Sequence, residues 1–268
     1  MIRVDARGAF VFATLDAPAT RNALSDAMVA GLDDALALAE SQPAVRALVI
    51  RGAGGTFCAG GDFSGFRALM GAKLPAGGVD PIVGFNRGFG ALLERIRASP
   101  VATIAVVEGA AMGGGAGLAA TCDFLLAESG GQFGMPEVTL GLPPAQVAPF
   151  IAARIGQGAA LRLLLTGTRL SAAQALACGL ADESHESAAL DERLTALLTE
   201  LGRAEPTALR ATKAILQRRS AEPLGATLDF AATAFAAALR SGTVSEGLAA
   251  MSAKRQAAWV VEPSGPTG

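Results

Sequence analysis

Val101-Ala102-Thr103-Ile104-Ala105-Val106-Val107-Glu108-Gly109-Ala110-Ala111-Met112-Gly113-Gly114-Gly115-Ala116-Gly117 is a β-branched apolar run that empties into a bend of small residues. The pattern predicts a buried strand followed by a tight turn and a helix start. It occurs twice. Val45 to Ile50 precedes Phe57-Cys58-Ala59-Gly60-Gly61-Asp62 in the same way. Glycine lets the backbone approach a ligand or another backbone without a Cβ in between. Each turn alone therefore reads as close strand-to-helix packing or as a site of free N–H groups. Together the two read as halves of one oxyanion hole, in which two N–H groups converge on a carbonyl oxygen. Neither is a dinucleotide fingerprint, because Leu118 and Ala120 stand where the third glycine of G-x-G-x-x-G would be.

Outward from these turns, residues 2–5 and 9–15 flank Arg7-Gly8 and predict a hairpin. Ser25 caps a predicted helix to about residue 41, with Met28, Leu32, Leu36 and Ala39 on one face. A strand is predicted over 45–51, a short helix over 63–70, a Gly/Pro-rich loop over 71–81 and a helix over 82–98. Further strands are expected over 101–107 and 124–127, with a helix from 113 to 121 between them. The repeated strand, turn and helix predict a right-handed α/β spiral or layered architecture. After about Gly141 the chain reads as helices: 144–155, 158–165, 171–178, 190–201, 206–219, 224–239 and 244–258.

About half of the 268 residues are apolar, and the 33 glycines favour close backbone packing. Net charge is −2 with no block of like charges, so no nucleic-acid or membrane partner is indicated. No apolar stretch reaches the ~18 residues of a membrane span. Met1 leads into an alternating strand with no signal-peptide pattern, so a soluble, cytoplasmic protein is expected. Cys58, Cys122 and Cys178 are odd in number and widely spaced, which reads as buried, reduced thiols. His185, the single histidine, lies in a polar run and reads as a solvated loop residue, so a His-based zinc site is not expected. No G-x-S-x-G occurs. Glu137 stands in the apolar run Phe133-Gly134-Met135-Pro136-Glu137-Val138. It reads either as a cap or surface ion-pair residue, or as an acid/base whose pKa desolvation raises.

The chain resembles the crotonase superfamily, the enoyl-CoA hydratase/isomerase family. The resemblance rests on an ordered set of segments covering nearly the whole chain. They are P-A-T-R-N-A-L-S at 18–25, F-C-A-G-G-D at 57–62, E-G-A-A-M-G-G-G-A-G at 108–117 with Cys122-Asp123, F-G-M-P-E-V-T-L-G-L at 133–142, the L-T-G…G-L run at 165–180, and E-G-L-A-A-M-S-A-K-R-Q-A-A-W at 246–259. It implies an α/β fold: a ββα spiral core over 1–200, carrying the CoA and active site, and a C-terminal helical trimerisation region over 201–268. It implies a homotrimer or homohexamer acting on an acyl-CoA thioester, with no cofactor beyond the substrate's CoA. The oxyanion donors would be Gly61 and Gly114, and the acid/base Glu137. Substrate and CoA contacts would involve Arg21, Ala59, Phe63 and Gly117, with Lys254 or Arg255 meeting CoA phosphate.

One position departs from the family pattern. Family hydratases commonly use two glutamates, one three residues after the oxyanion glycine and one twenty residues later. Here those positions are Gly117 and Glu137. The resemblance therefore implies a single-glutamate enzyme, as in family isomerases. The alternatives are a hydratase of branched, isohexenylglutaconyl-type thioesters, which the run Pro143-Pro144-Ala145-Gln146 resembles, a malonyl-type decarboxylase, or a non-catalytic acyl-CoA-binding homologue. Residues 142–147 carry no Asp, unlike family dienoyl-CoA isomerases and aryl-CoA dehalogenases. A carboxylate restored at position 117 would be expected to face Glu137.

Overall fold

Ile2–Arg7 (β1) and Phe10–Leu15 (β2) pair antiparallel, with Gly8 at φ 59° in the reversal. They open the computed structural model, which describes residues 1–62, 70, 77–78 and 80–263. The short helix expected over 63–70 and most of the loop expected over 71–81 lie outside the described residues. From β2 onward the main sheet is parallel: β2, Ala47–Gly52 (β3), Ala102–Val107 (β4), Phe124–Glu128 (β6) and Glu183–His185 (β9) lie side by side in that order. A parallel sheet covered on both faces needs strands that are apolar throughout, and β4 is buried along its whole length.

Alternation sends each strand into two cores. Leu48 and Ile50 of β3 and Ala105 and Val107 of β4 face one core. There they join Met28, Leu32 and Leu36 of Asp26–Ser41 (α1) and Leu92, Leu93 and Ile96 of Pro81–Ala98 (α2). Ala47, Val49, Ile104 and Val106 face the other, against Leu190, Leu194, Leu197 and Leu198 of Ser187–Gly202 (α7). Each such fully buried Val, Leu, Ile or Met side chain contributes about 1.5–3 kcal/mol. The Ser25 hydroxyl accepts from the Met28 N–H and starts α1 as predicted.

A second, three-stranded sheet sits where the main strands end. It comprises Ala110–Met112 (β5), Gln132–Gly134 (β7) and Arg169–Ser171 (β8). Gly109, at φ 57°, turns the chain from β4 into β5, and Cys58 pairs with Ala111 across the gap. Gly114–Thr121 (α3) follows β5 directly. This is the two-strands-then-helix turn of the expected spiral. The chain continues through Ala148–Ile155 (α4), Gln157–Thr166 (α5) and Ala172–Ala177 (α6). His185 is not a loop residue. It ends β9, and its Nε2 lies 2.7 Å from Glu183 Oε2. Three-residue strands are too short to show alternation, so β5, β7, β8 and β9 have no signature in the sequence.

The C-terminal arm is Pro206–Ala221 (α8), Leu224–Arg240 (α9) and Thr243–Ser252 (α10). Lys213 of α8 pins it to the core, donating to Val101 O at 2.8 Å and Asp123 Oδ2 at 2.5 Å. The last helix was expected to reach residue 258 but stops at Ser252. There Lys254 takes φ 52°, its N–H donates to Met251 O and the Arg255 N–H donates to Ala250 O. That is a helix stop whose left-handed position usually carries glycine. Among the described residues no helix is long and apolar enough to cross a membrane.

Candidate active site

The two glycine turns lie side by side. Phe57 N–H donates to Glu108 O at 2.8 Å, Cys58 N–H to Ala110 O at 3.0 Å, and Met112 N–H to Cys58 O at 2.9 Å. On the other flank, Leu24 N–H donates to Gly60 O at 2.8 Å and Asp62 N–H to Leu24 O at 3.3 Å, a parallel bridge between Leu24 and Gly61. In such a bridge the middle residue turns its own N–H away from its partner. Gly61 N–H thus faces away from Leu24, and no acceptor among the described residues takes it.

Gly113 supplies the second bend, at φ 52° and ψ −123°, and its N–H is spent on Gly134 O at 2.7 Å. Gly114 is the first residue of α3, where the helix leaves its N–H groups unsatisfied. Its N–H has no acceptor among the described residues. The helix N-terminus also carries partial positive charge, which favours a developing oxyanion.

Glu137 stands on Gly113. It lies in the 3-10 turn Pro136–Leu140, and its Oε1 would be 2.9 Å from a Cβ at position 113. Any side chain at 113 would displace the carboxylate. The residue is half-buried, and Oε2 is buried with no hydrogen-bond partner. Burial pushes the carboxyl above the usual carboxylate range, opposed more weakly by a backbone N–H. An unpaired, desolvated carboxylate beside a helix N-terminus can take up and return a proton.

Gly117 lies one helical turn beyond Gly113 on the same face of α3. A Cβ at 117 would sit 2.1 Å from Val147 Cγ1 and 2.6 Å from Val147 Cβ. Val147 therefore fills the place that a second carboxylate would need. Gly117 is buried under it. Gln146 packs just as tightly on Gly90 of α2, and its Nε2 donates to Asn86 Oδ1 at 2.7 Å.

This architecture has known counterparts. The sequence model of the family described as "Enoyl-CoA hydratase/isomerase" matches residues 6–262. The chain belongs to that family, within the crotonase superfamily. It is 32% identical over 255 residues to a putative enoyl-CoA hydratase of Thermus thermophilus, covering 95% of this chain and 98% of that one. Among solved structures, an enoyl-CoA hydratase/isomerase from Marinobacter aquaeolei superposes with a TM-score of 0.93 at 39% identity, covering 97% of this chain and 99% of that one. Pseudomonas aeruginosa AtuE superposes with a TM-score of 0.91 at 42% identity, over the same shares.

The remaining family-implied residues fall in three places. Arg21 and Ala59 are brought together, with Ala59 N–H donating to Arg21 O at 2.9 Å. Phe63 lies outside the described residues. Lys254 and Arg255 sit on the C-terminal hook, and among the described residues no hydrogen bond or ion pair joins them to the glycine turns. The Arg255 guanidinium grips Glu246 with two bonds, at 2.7 and 2.9 Å, and Glu246 also accepts from Ala258 N–H. Among the described residues Lys254 has no such partner. Among the described residues, the non-glycine positions with positive φ are Arg21, Asn22 and Lys254. Two of these three are candidate CoA contacts, and left-handed backbone at a long side chain costs roughly 1–2 kcal/mol. Sequence reading missed Val147 and Asn86 and gave Gln146 no contact, because their partners are glycines and amides far away in the chain.

Proposed function

We propose that this enoyl-CoA hydratase/isomerase family enzyme forms and quenches a thioester enolate with a single carboxylate. The observation that carries this is Glu137: half-buried, unpaired at Oε2, and seated on Gly113 next to the open N–H of Gly114. The thioester oxygen would accept from Gly61 and Gly114. Loss of one such donor in other enzymes costs roughly 2.7–4 kcal/mol of transition-state stabilisation. Glu137 would take the proton from the α carbon of a 3-enoyl-CoA. The C–H electrons pass into the enolate and the double bond moves toward the carbonyl. The same carboxyl then returns the proton at the γ carbon. Val147, standing where a second carboxylate would be, favours this proton relocation over hydration by a carboxylate pair. The cycle uses no redox group and no cofactor beyond the CoA of the substrate.

Lys254 is the better placed of the two basic candidates for CoA phosphate, since Arg255 is committed to Glu246. Leu224, Leu228, Phe235 and Leu239 are exposed along one face of α9, and this stripe supports assembly as a homotrimer or homohexamer through the C-terminal arm. A monomer mass by light scattering at micromolar concentration would refute the assembly. The three unpaired thiols suit a reducing compartment, and the proposal places the enzyme in the cytoplasm.

The direct test is to supply short, medium and branched 3-enoyl-CoA thioesters in deuterium oxide. Conjugation with the carbonyl should appear in the ultraviolet, with deuterium at the α or γ carbon by mass spectrometry. Binding of every thioester without conjugation or exchange would refute the reading.

A further inference from the structure

Asn22 is fully buried, holds φ 57°, and is absent from the chemistry described so far. Its side chain makes three bonds that tie its own turn, 17–22, to the stretch 53–56. Oδ1 accepts from Ala17 N–H at 2.9 Å, and Nδ2 donates to Ala53 O at 2.9 Å and Thr56 O at 2.7 Å. Only this orientation of the amide satisfies one donor and two acceptors. Residues 53–56 lead into Phe57-Cys58-Ala59-Gly60-Gly61, so Asn22 grips the root of the first glycine turn. The backbone of its neighbours grips the tip. Arg21 O takes the Ala59 N–H, and Leu24 bonds on both sides of Gly61. The left-handed pair Arg21 and Asn22 makes this doubling-back possible.

We propose that Asn22 is the positioning residue for the oxyanion donor at Gly61, aiming that N–H by clamping 53–56 and 59–62 onto one segment. This rests on the proposed role of Gly61. A misplacement of about 1 Å at a reacting group can cost on the order of 10²-fold in rate. The clamp would act on the transition state, where negative charge reaches the oxygen, more than on the bound substrate. Its loss should therefore lower kcat and kcat/KM together.

The test uses two variants and one probe. Asn22→Gly keeps the left-handed backbone accessible and removes all three side-chain bonds. Asn22→Asp keeps the shape and the bond from Ala17 N–H, and turns a carboxylate oxygen toward two carbonyls. The probe is 4-aminocinnamoyl-CoA, whose absorption moves to longer wavelength as its carbonyl is polarised. Wild type should show the shift. Both variants should bind the probe with a smaller shift and show kcat lower by about 10²-fold, with KM nearly unchanged. Glu205→Ala, which removes the cap accepting from Ala208 N–H at the start of α8, is a control for general destabilisation and should keep the full shift. A full shift and wild-type kcat in Asn22→Gly would overturn the proposal. So would failure of both Asn22 variants to fold, which would make Asn22 a residue of the fold alone. A wild-type protein that binds the probe with no shift would instead overturn the oxyanion reading of Gly61, and this inference with it.

Discussion

Replacing Gly117 by Glu tests why the second carboxylate is missing. The new Cβ would lie 2.1 Å from Val147 Cγ1 and 2.6 Å from Val147 Cβ, while Val147 Cα stands at 3.6 Å. Val147 is only 4% exposed and belongs to the main core, so it has little room to yield. Overpacking of this kind costs about 1–3 kcal/mol, a large part of a stability of roughly 5–15 kcal/mol. Val147→Ala brings no relief, because the offending Cβ remains. Val147→Gly does, since the nearest atom left at position 147 is then the Cα, 3.6 Å away and at ordinary contact. Urea denaturation of Gly117→Glu, Val147→Gly and the double variant should give a favourable coupling of about 1–3 kcal/mol. The double variant should also hydrate a simple 2-enoyl-CoA faster than Val147→Gly alone, read as loss of the conjugated thioester absorbance. The reasoning is refuted if Gly117→Glu alone keeps wild-type stability within about 0.5 kcal/mol, or if the two substitutions are simply additive.

Glu137→Gln should retain acyl-CoA binding and lower proton exchange by roughly 10²–10⁴-fold. Because burial raises the carboxyl pKa in the folded state, ionising it costs stability. That cost is absent below the ordinary carboxylate pKa of about 4.3 and complete above the raised one. Glu137→Gln should therefore match wild-type stability at acid pH and gain on it as pH rises; an unchanged difference across that window would contradict the burial. Lys254→Gly should relieve the left-handed backbone, raising stability by up to about 1 kcal/mol, while raising KM for an acyl-CoA most at low salt. An unchanged KM would remove Lys254 from the site. Cys178, half-exposed, should react first with a thiol reagent at mildly alkaline pH, whereas burial pushes the Cys58 thiol up to about 11 and the Cys122 thiol up to about 12. Mass spectrometry showing equal labelling of all three in the native protein would contradict this packing.

Long elements were legible because they repeat a local rule. The Ser25 cap and the apolar spacing of α1 define a helix within one stretch of chain, and the runs ending in β3 and β4 can only be strands buried on both faces. The glycine turns were legible as sites of exposed backbone, and Glu137 as a carboxylate in an apolar run, because both signals lie within a few residues. What decided the site came from afar. Whether Gly61 and Gly114 keep free N–H groups depends on which acceptors fold against them. The openness of Gly117 depended on Val147, thirty residues away in sequence and in contact only through α3 and α4. Arg255 looked as available as Lys254 until the helix stop at Ser252 turned its guanidinium back onto Glu246. Asn22 was one letter of a motif until its amide was seen to tie its own turn to residues 53–56 with three bonds. Local order follows from spacing, caps and turn residues, which act between near neighbours. The accessibility of an N–H, a carboxylate or a cation follows from packing between distant segments, and only the folded chain supplies it.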